Sequence, residues 1–175
     1  NQGYRLSSVQ PLLNRSKLFS LLPSYRIEGV DAIDSTNSEL KRRNPKTKTL
    51  LFANTQSGGR GRLGRSFFSP RGGVYFSLAL PLNVSIDSAL LVTSIAAVAT
   101  AEALSEIAHV ETSIKWVNDL YLGDKKLCGI LTEGIISMET KTLATVIIGI
   151  GINLHLPIDR FPAELQAIAT NAFDS

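Results

Sequence analysis

The sequence predicts an α+β fold built on a mixed, largely antiparallel sheet, and three observations carry that prediction. Two pairs of apolar segments are joined by short polar turns, at Gly123-Asp124 and at 137–142, the pattern of β-hairpins. One long apolar segment, 87–107, has helical spacing. Helices sit among the hairpins instead of alternating strictly with strands, which argues against a doubly wound parallel sheet.

The elements follow in chain order. Residues 1–29 are weakly patterned and broken by Pro11 and Pro23, so they read as a tail with a short helix over about 11–21 and a linker. Asp34 and Ser35 offer caps for a helix over 36–43, which Pro45 stops. Residues 50–54 and 74–80 read as strands on either side of a Gly/Arg segment. From Ser85 or Asp87, a helix runs to Ile107 with Leu91, Ile95, Val98, Ala101, Leu104 and Ala108 at helical spacing. Few charges interrupt its other side before Glu102, so most of it is expected to be buried. Residues 112–116, 119–122, 126–136 and 143–150 complete the strands.

A chain of 175 residues is long enough for one domain with a real core. With 44% hydrophobic and 19% charged residues, the composition is that of a globular protein. The longest nearly uncharged apolar stretches, 89–101 and 143–152, fall short of the ~20 residues a membrane span needs, so no membrane partner is expected. Cys128 is the single cysteine, which points to a reducing, cytoplasmic setting, and with only His109 and His155 beside it no zinc constellation forms. The net charge of +3 is unevenly spread: residues 1–71 hold 13 Lys/Arg against 4 Asp/Glu, and residues 72–175 hold 5 against 11. A basic half suggests an anionic ligand. Lys41, Arg42 and Arg43 are explained by a helix C-terminus, but Arg60, Arg62 and Arg65, set among glycines, are not.

Residues 58–73, GGRGRLGRSFFSPRGG, match two phosphate-loop patterns imperfectly. Gly59, Gly61 and Gly64 spell G-x-G-x-x-G, but a dinucleotide fingerprint must open a helix, and Pro70 with Gly72-Gly73 forbids one. The P-loop reading fails the same way, and Arg65 replaces its Lys. What remains is glycine for close backbone approach and arginine for anions. Three crowded cations predict a loop without order until an anion arrives. A nucleic-acid segment with Phe67 and Phe68 as stacking rings is the non-enzymatic alternative.

Four further segments stand out: DSTN at 34–37, KWVND at 115–119, KLCGIL at 126–131 and GIGINL at 149–154. Taken singly, each has a plain structural explanation as a cap, a surface ion pair, or a glycine in a strand or turn. Together with Q-x-x-GRGRLGR-x-FFSP-x-GG-x-YFS at 56–77, and in this order, they resemble the catalytic domain of biotin–protein ligases. GYRL at 3–6 and PLLN at 11–14 resemble the end of a winged-helix domain and its linker in the ligases that double as biotin-operon repressors.

The resemblance implies a core akin to class II aminoacyl-tRNA synthetases, spanning 30–175 after a 1–29 remnant, with the family's small C-terminal β-barrel lying outside the sequence. It implies two-step chemistry with biotin, ATP and Mg²⁺: biotinyl-5′-AMP forms, then a lysine of a biotin carboxyl carrier protein takes the biotinyl group. By motif position, Ser35, Thr36, Asn37 and Gln56 line the biotin pocket, and Gly59, Arg60, Gly61 and Arg62 form the biotin loop. Lys126 serves the biotin carboxyl and the activated phosphate, and Gly129, Gly149 and Gly151 give the pocket a close floor. Arg62, Arg65, Lys115, Asn118, Lys126 and Asn153 fall on the nucleotide side. The catalytic set is Arg62, Lys115, Lys126 and Asp119, with Asp119 acting through Mg²⁺. A homodimer is implied as well, with DNA contacted only through the N-terminal domain. Val117 departs from the family's usual Pro, and no Trp follows Asn153, where repressor-type ligases place an aromatic over adenine. A lipoate–protein ligase shares this fold and adenylate chemistry and is the nearest alternative.

Overall fold

The computed structural model describes residues 14–156, 159 and 161–173. Its centre is a seven-stranded sheet. The strands in chain order are β1 (Arg26–Ile33), β2 (Thr49–Gln56), β3 (Gly73–Leu80), β4 (Ser113–Lys115), β5 (Asp119–Leu122), β6 (Lys125–Ser137) and β7 (Thr142–Asn153). Across the sheet the order is β1-β2-β3-β7-β6-β5-β4, with β1 and β2 parallel and every other pair antiparallel. The mixed, largely antiparallel α+β fold expected from the hairpin turns is therefore present.

Helices α1 (Arg15–Leu21), α2 (Thr36–Arg43), α3 (Ser88–Ala108) and the short α4 (Ala163–Gln166) flank the sheet. Period-two alternation assigns the faces. On one face Leu51, Ala79 and Ile147 receive Leu40 of α2. On the other, Ile130, Ile148 and Ile150 pack with Ala97 and Leu104 of α3, while Ile27, Leu50 and Phe52 pack with Leu18 of α1. Covered on both sides, β7 reads as a nearly continuous apolar run.

Three expectations need correction. Residues 26–29 read as linker from their pattern, but they open β1, which pairs in register with β2 from Arg26↔Thr49 to Ile33↔Gln56. Its apolar residues Ile27, Val30 and Ile33 recur at three, which hides a period of two, and Gly29 breaks the pattern because the Phe52 ring occupies the space a Cβ there would need. α3 is not mostly buried: Thr93, Ala97, Thr100 and Leu104 face inward with Ala101 and Ala108 packed beside them, whereas Leu91 (62% exposed) faces out and Ile95 (58% exposed) lies at the rim of the apolar cavity under the helix. The helix is apolar all round, so periodicity could not choose its inner face, and the smaller residues took it. At 21 residues α3 is also long and apolar enough, by length and composition, to cross a membrane. The uncharged stretch 89–101 had suggested otherwise because the helix continues through Glu102 and Glu106. GYRL at 3–6 and residues 11–13 lie outside the described residues; Asn14 caps α1, its Oδ1 accepting from the Lys17 N–H at 3.1 Å.

Candidate functional site

The site lies on the α2 face, where register brings glycines together. Tyr75, Gly151 and Gly129 lie side by side on β3, β7 and β6, and Ser77, Gly149 and Leu131 form the next row. Above them α2 begins with Ser35, Thr36 and Asn37, all at most 3% exposed. Ser35 caps the helix through Oγ, which accepts from the Ser38 N–H at 3.3 Å. Asp34 is held at the α2 entry by Arg42 and by the Ser35 N–H, which together lower its carboxyl to about 2. Arg43 bridges Glu28 and Glu39, and Arg42 also meets Glu39; these are surface pairs of small energetic weight. The basic end of α2 is thus largely neutralised locally.

A chain of hydrogen bonds organises the polar pocket. Gln56 Oε1 accepts from the Thr36 N–H (2.8 Å) and from Thr36 Oγ1 (3.1 Å), and Gln56 Nε2 donates to Ser69 Oγ (3.0 Å). Ser77 Oγ sits 2.7 Å from Thr36 Oγ1 and 2.6 Å from Asn37 Oδ1. Asn37 Nδ2 donates to the Leu131 carbonyl (3.3 Å) and to Glu133 Oε2 (3.1 Å). These groups are buried or half-buried and partnered, so each amide has a fixed orientation.

The Gly/Arg segment is not the structureless loop expected of three crowded cations. It forms a hairpin of its own, with the Phe67 N–H donating to Gly59 O (2.8 Å) and the Gly61 N–H to Arg65 O (2.7 Å). Leu63 and Gly64 turn it with positive φ, 55° and 75°. The hairpin lays Phe67 on the glycine floor: a Cβ would stand 2.9 Å from this ring at Gly129 and 2.5 Å at Gly151. Gly149 makes room instead for the Asn37 amide.

Two cavities result. The inner one, about 30 Å³, is lined by Ser35, Thr36, Asn37, Gln56, Arg60, Phe67, Gly129, Gly149 and Gly151. The outer one, about 230 Å³, is lined by Gly61, Arg62, Arg65, Asn118, Asp119 and Lys126. Arg60, Phe67, Gly129 and Leu131 border both, so Arg60 and Phe67 form the partition. In the outer cavity Lys126 Nζ meets Asp119 Oδ1 at 2.8 Å, Asn118 Nδ2 donates to the same oxygen at 2.8 Å, and Arg62 reaches Asn118 Oδ1 at 3.2 Å. A larger cavity of about 830 Å³ lies under α3, but its walls are almost wholly apolar and offer nothing to orient a charged ligand.

Most of the residues singled out in the sequence therefore converge, and three do not line either cavity. Lys115 turns to Tyr121, with Nζ 4.9 Å from its ring centroid. Asn153 is buried with Nδ2 donating to the Thr170 carbonyl (3.1 Å), and its Oδ1 has no partner among the described residues. Gly59 packs behind the partition, against Phe67 O and Ser69 Oγ. Sequence reasoning missed Ser77, Glu133 and the inward role of Phe67. Glu133 was within reach, because period two from Gly129 and Leu131 puts it on the same face. Cys128 points to the opposite face, where burial pushes its thiol far up. Among the described residues no three His, Cys, Asp or Glu gather as a metal site.

A small pocket of fixed donors and acceptors, opening past an arginine onto a cationic cavity, defines a two-compartment ligand site in an α+β core. The chain belongs to the biotin/lipoate A/B protein ligase family, whose model matches residues 29–153. It is 37% identical, over 97% of its length and 54% of the relative's, to the bifunctional ligase/repressor BirA of Bacillus subtilis. Its identity to the Escherichia coli protein of the same name is 35%, over 89% of this chain and 49% of the relative. The chain thus spans about half the length of these relatives. Among solved structures, the biotin protein ligase from Aquifex aeolicus in complex with biotin and ATP is similar with a TM-score of 0.67 and 36% identity, covering 83% of this chain and 59% of that one.

Proposed function

We propose that this chain is the ligating core of a biotin–protein ligase, which joins biotin to ATP as biotinyl-5′-AMP and then passes the biotinyl group to a lysine of a carboxyl carrier protein. The observation that carries the reading is the partition: a neutral polar pocket and a cationic cavity meet at Arg60 and Phe67. Biotin's ureido head needs matched donors and acceptors, which Thr36, Asn37, Gln56 and Ser77 can supply. Its carboxylate would then point toward Lys126 and the outer cavity. The inner space of about 30 Å³ is too small for a bicyclic ring, so binding requires Phe67 and its hairpin to move off Gly129 and Gly151.

In the first step a carboxylate oxygen bonds the α-phosphorus of ATP and pyrophosphate leaves. Two anions must approach, and Arg62, Arg65 and Lys126 screen them and stabilise the charge that develops. Lys126 exchanges Asp119 for the substrate as it does so. In the second step the acceptor amine attacks the acyl carbon, the C–O bond to AMP breaks, and the amine proton goes to solvent. A closed hairpin excludes the water that would hydrolyse the anhydride. The donor set of the outer cavity fits Mg²⁺, which is held by one or two carboxylates together with substrate phosphates: Asp119 uses Oδ1 for Lys126 and Asn118, leaving Oδ2 for the ion. Bound there, Mg²⁺ would neutralise phosphate charge. Lys115 and Asn153 belong to the nucleotide side by motif position, and reaching a nucleotide would require both to leave their present partners. A homodimer, a cytoplasmic setting and a repressor role for the whole protein are part of the same proposal.

The test is mass spectrometry of the purified protein mixed with biotin, ATP and Mg²⁺. Biotinyl-5′-AMP retained on the protein is expected. Retention of a lipoyl adenylate with lipoate, and none with biotin, would transfer the reading to the lipoate branch of the family.

A further inference from the structure

Glu133 is the charged residue that ties the inner pocket's parts together. It stands on β6, on the face of Gly129 and Leu131, with its side chain only 13% exposed. Its two oxygens serve three side chains on two other elements, α2 and the hairpin. Oε1 accepts from Lys41 Nζ of α2 at 2.9 Å and faces Arg60 Nη1 of the hairpin at 3.5 Å. Oε2 accepts from Asn37 Nδ2 at 3.1 Å. Burial works to raise its carboxyl, and the bonds from Lys41 and Asn37 outweigh that and hold it below the usual range, so it is an anion at neutral pH.

An ionised carboxylate can only accept hydrogen bonds. Asn37 must therefore turn its NH₂ toward Glu133 and its oxygen toward Ser77 and Gly149, where the missing Cβ leaves room for it. That oxygen spends one lone pair on Ser77 and keeps the other for a ligand in the inner cavity. Without Glu133, a flip of the amide is opposed only by the Leu131 carbonyl at 3.3 Å and by the Ser77 hydroxyl, which can accept instead of donate by turning its hydrogen to Thr36 Oγ1. A flipped amide would present N–H groups to an incoming N–H donor and repel it. Glu133 also restrains Arg60, half of the partition between the cavities.

We propose that Glu133 is a positioning and specificity-determining residue, which fixes the Asn37 oxygen and Arg60 so that the inner pocket selects a head group carrying N–H donors. The proposal rests on the biotin-ligase reading for the identity of that head group, and its orienting step does not depend on a ligand. The bland alternative is an ion pair with Lys41 that only pins α2 to the sheet.

The experiment compares Glu133→Leu and Glu133→Gln in wild-type and Asn37→Ala backgrounds. Glu133→Leu should raise the Kd and KM for biotin about 10- to 100-fold, the cost of leaving a buried polar group unpaired. The KM for ATP and kcat at saturating biotin should stay within about twofold, since neither residue lines the outer cavity. Glu133→Gln, which still offers an acceptor to Asn37, should restore most of the affinity. With Asn37 already removed, Glu133→Leu should cost less than about threefold, the signature of coupled neighbours. NMR supplies a ligand-free arm: the Asn37 side-chain amide signals should be shifted and slow to exchange in the wild type and should lose both features in Glu133→Leu. Equal biotin binding by Glu133→Leu, an undiminished loss in the Asn37→Ala background, or unaltered Asn37 amide signals would overturn the proposal. Wild-type protein that binds no biotin, yet shows the expected amide signals, would instead overturn the choice of ligand.

Discussion

Arg62 stands on the exposed turn of the hairpin and reaches Asn118 Oδ1 at 3.2 Å, so it joins the loop to the outer cavity while burying little of itself. Arg62→Gly is therefore expected to leave the melting temperature nearly unchanged. It should speed adenylate dissociation by an amount near 2 kcal/mol, one charge-assisted hydrogen bond. Stopped-flow dissociation of preformed biotinyl-5′-AMP reads this directly, and a rate equal to the wild type's would detach Arg62 from ligand retention. The residue scale is also where the sequence was most informative. DSTN, Gln56, the arginines and the three floor glycines could be assembled from motif order alone. What motif order could not show was orientation. Gly149 accommodates Asn37, Gly129 and Gly151 accommodate Phe67, and Lys115 turns aside to Tyr121. Such choices are set by neighbours across strands, which no local pattern records.

At the scale of elements, the legibility of the fold followed the strength of local signals. The two hairpins announced themselves through their turns, and α2 through Ser35 at one end and Pro45 at the other, where the structure shows Asn44 left-handed with φ 45°. β1 escaped because an edge strand borrows its structure from its neighbour: its parallel ladder to β2 is a non-local fact. α3 was found, with Ala101, Leu104 and Ala108 of its expected inner face in the core and Leu91, Ile95 and Val98 outside it. The structure now separates its two sides, and the separation is measurable. Leu91→Glu, on the 62% exposed outer side, should change stability by no more than about 0.5 kcal/mol. Ala97→Leu, at a fully buried position against β6 and β7, should cost about 1–3 kcal/mol by overpacking. Urea denaturation of the two variants decides the matter, and a larger loss for Leu91→Glu would place Leu91 on the inner face instead.

For the whole molecule, the sheet does the arranging. Its β3-β7-β6 centre supplies the floor, α2 the polar head of the pocket, the hairpin its roof with Arg62 and Arg65, and β5 and β6 supply Asp119 and Lys126. One face is given to the site and the other to the α3 core, so mutations at Cys128, Val146 or Ile148 act on stability and those at Gly129, Leu131 or Gly151 on ligand. The central claim is that this arrangement recognises a ureido head in the inner pocket. Isothermal titration of the protein with biotin and, separately, with lipoate tests it most directly. The account predicts saturable one-to-one binding of biotin and at least about 100-fold weaker binding of lipoate, whose dithiolane ring leaves the buried polar groups of the pocket unpaired. Lipoate bound as tightly as biotin, or more tightly, would contradict it.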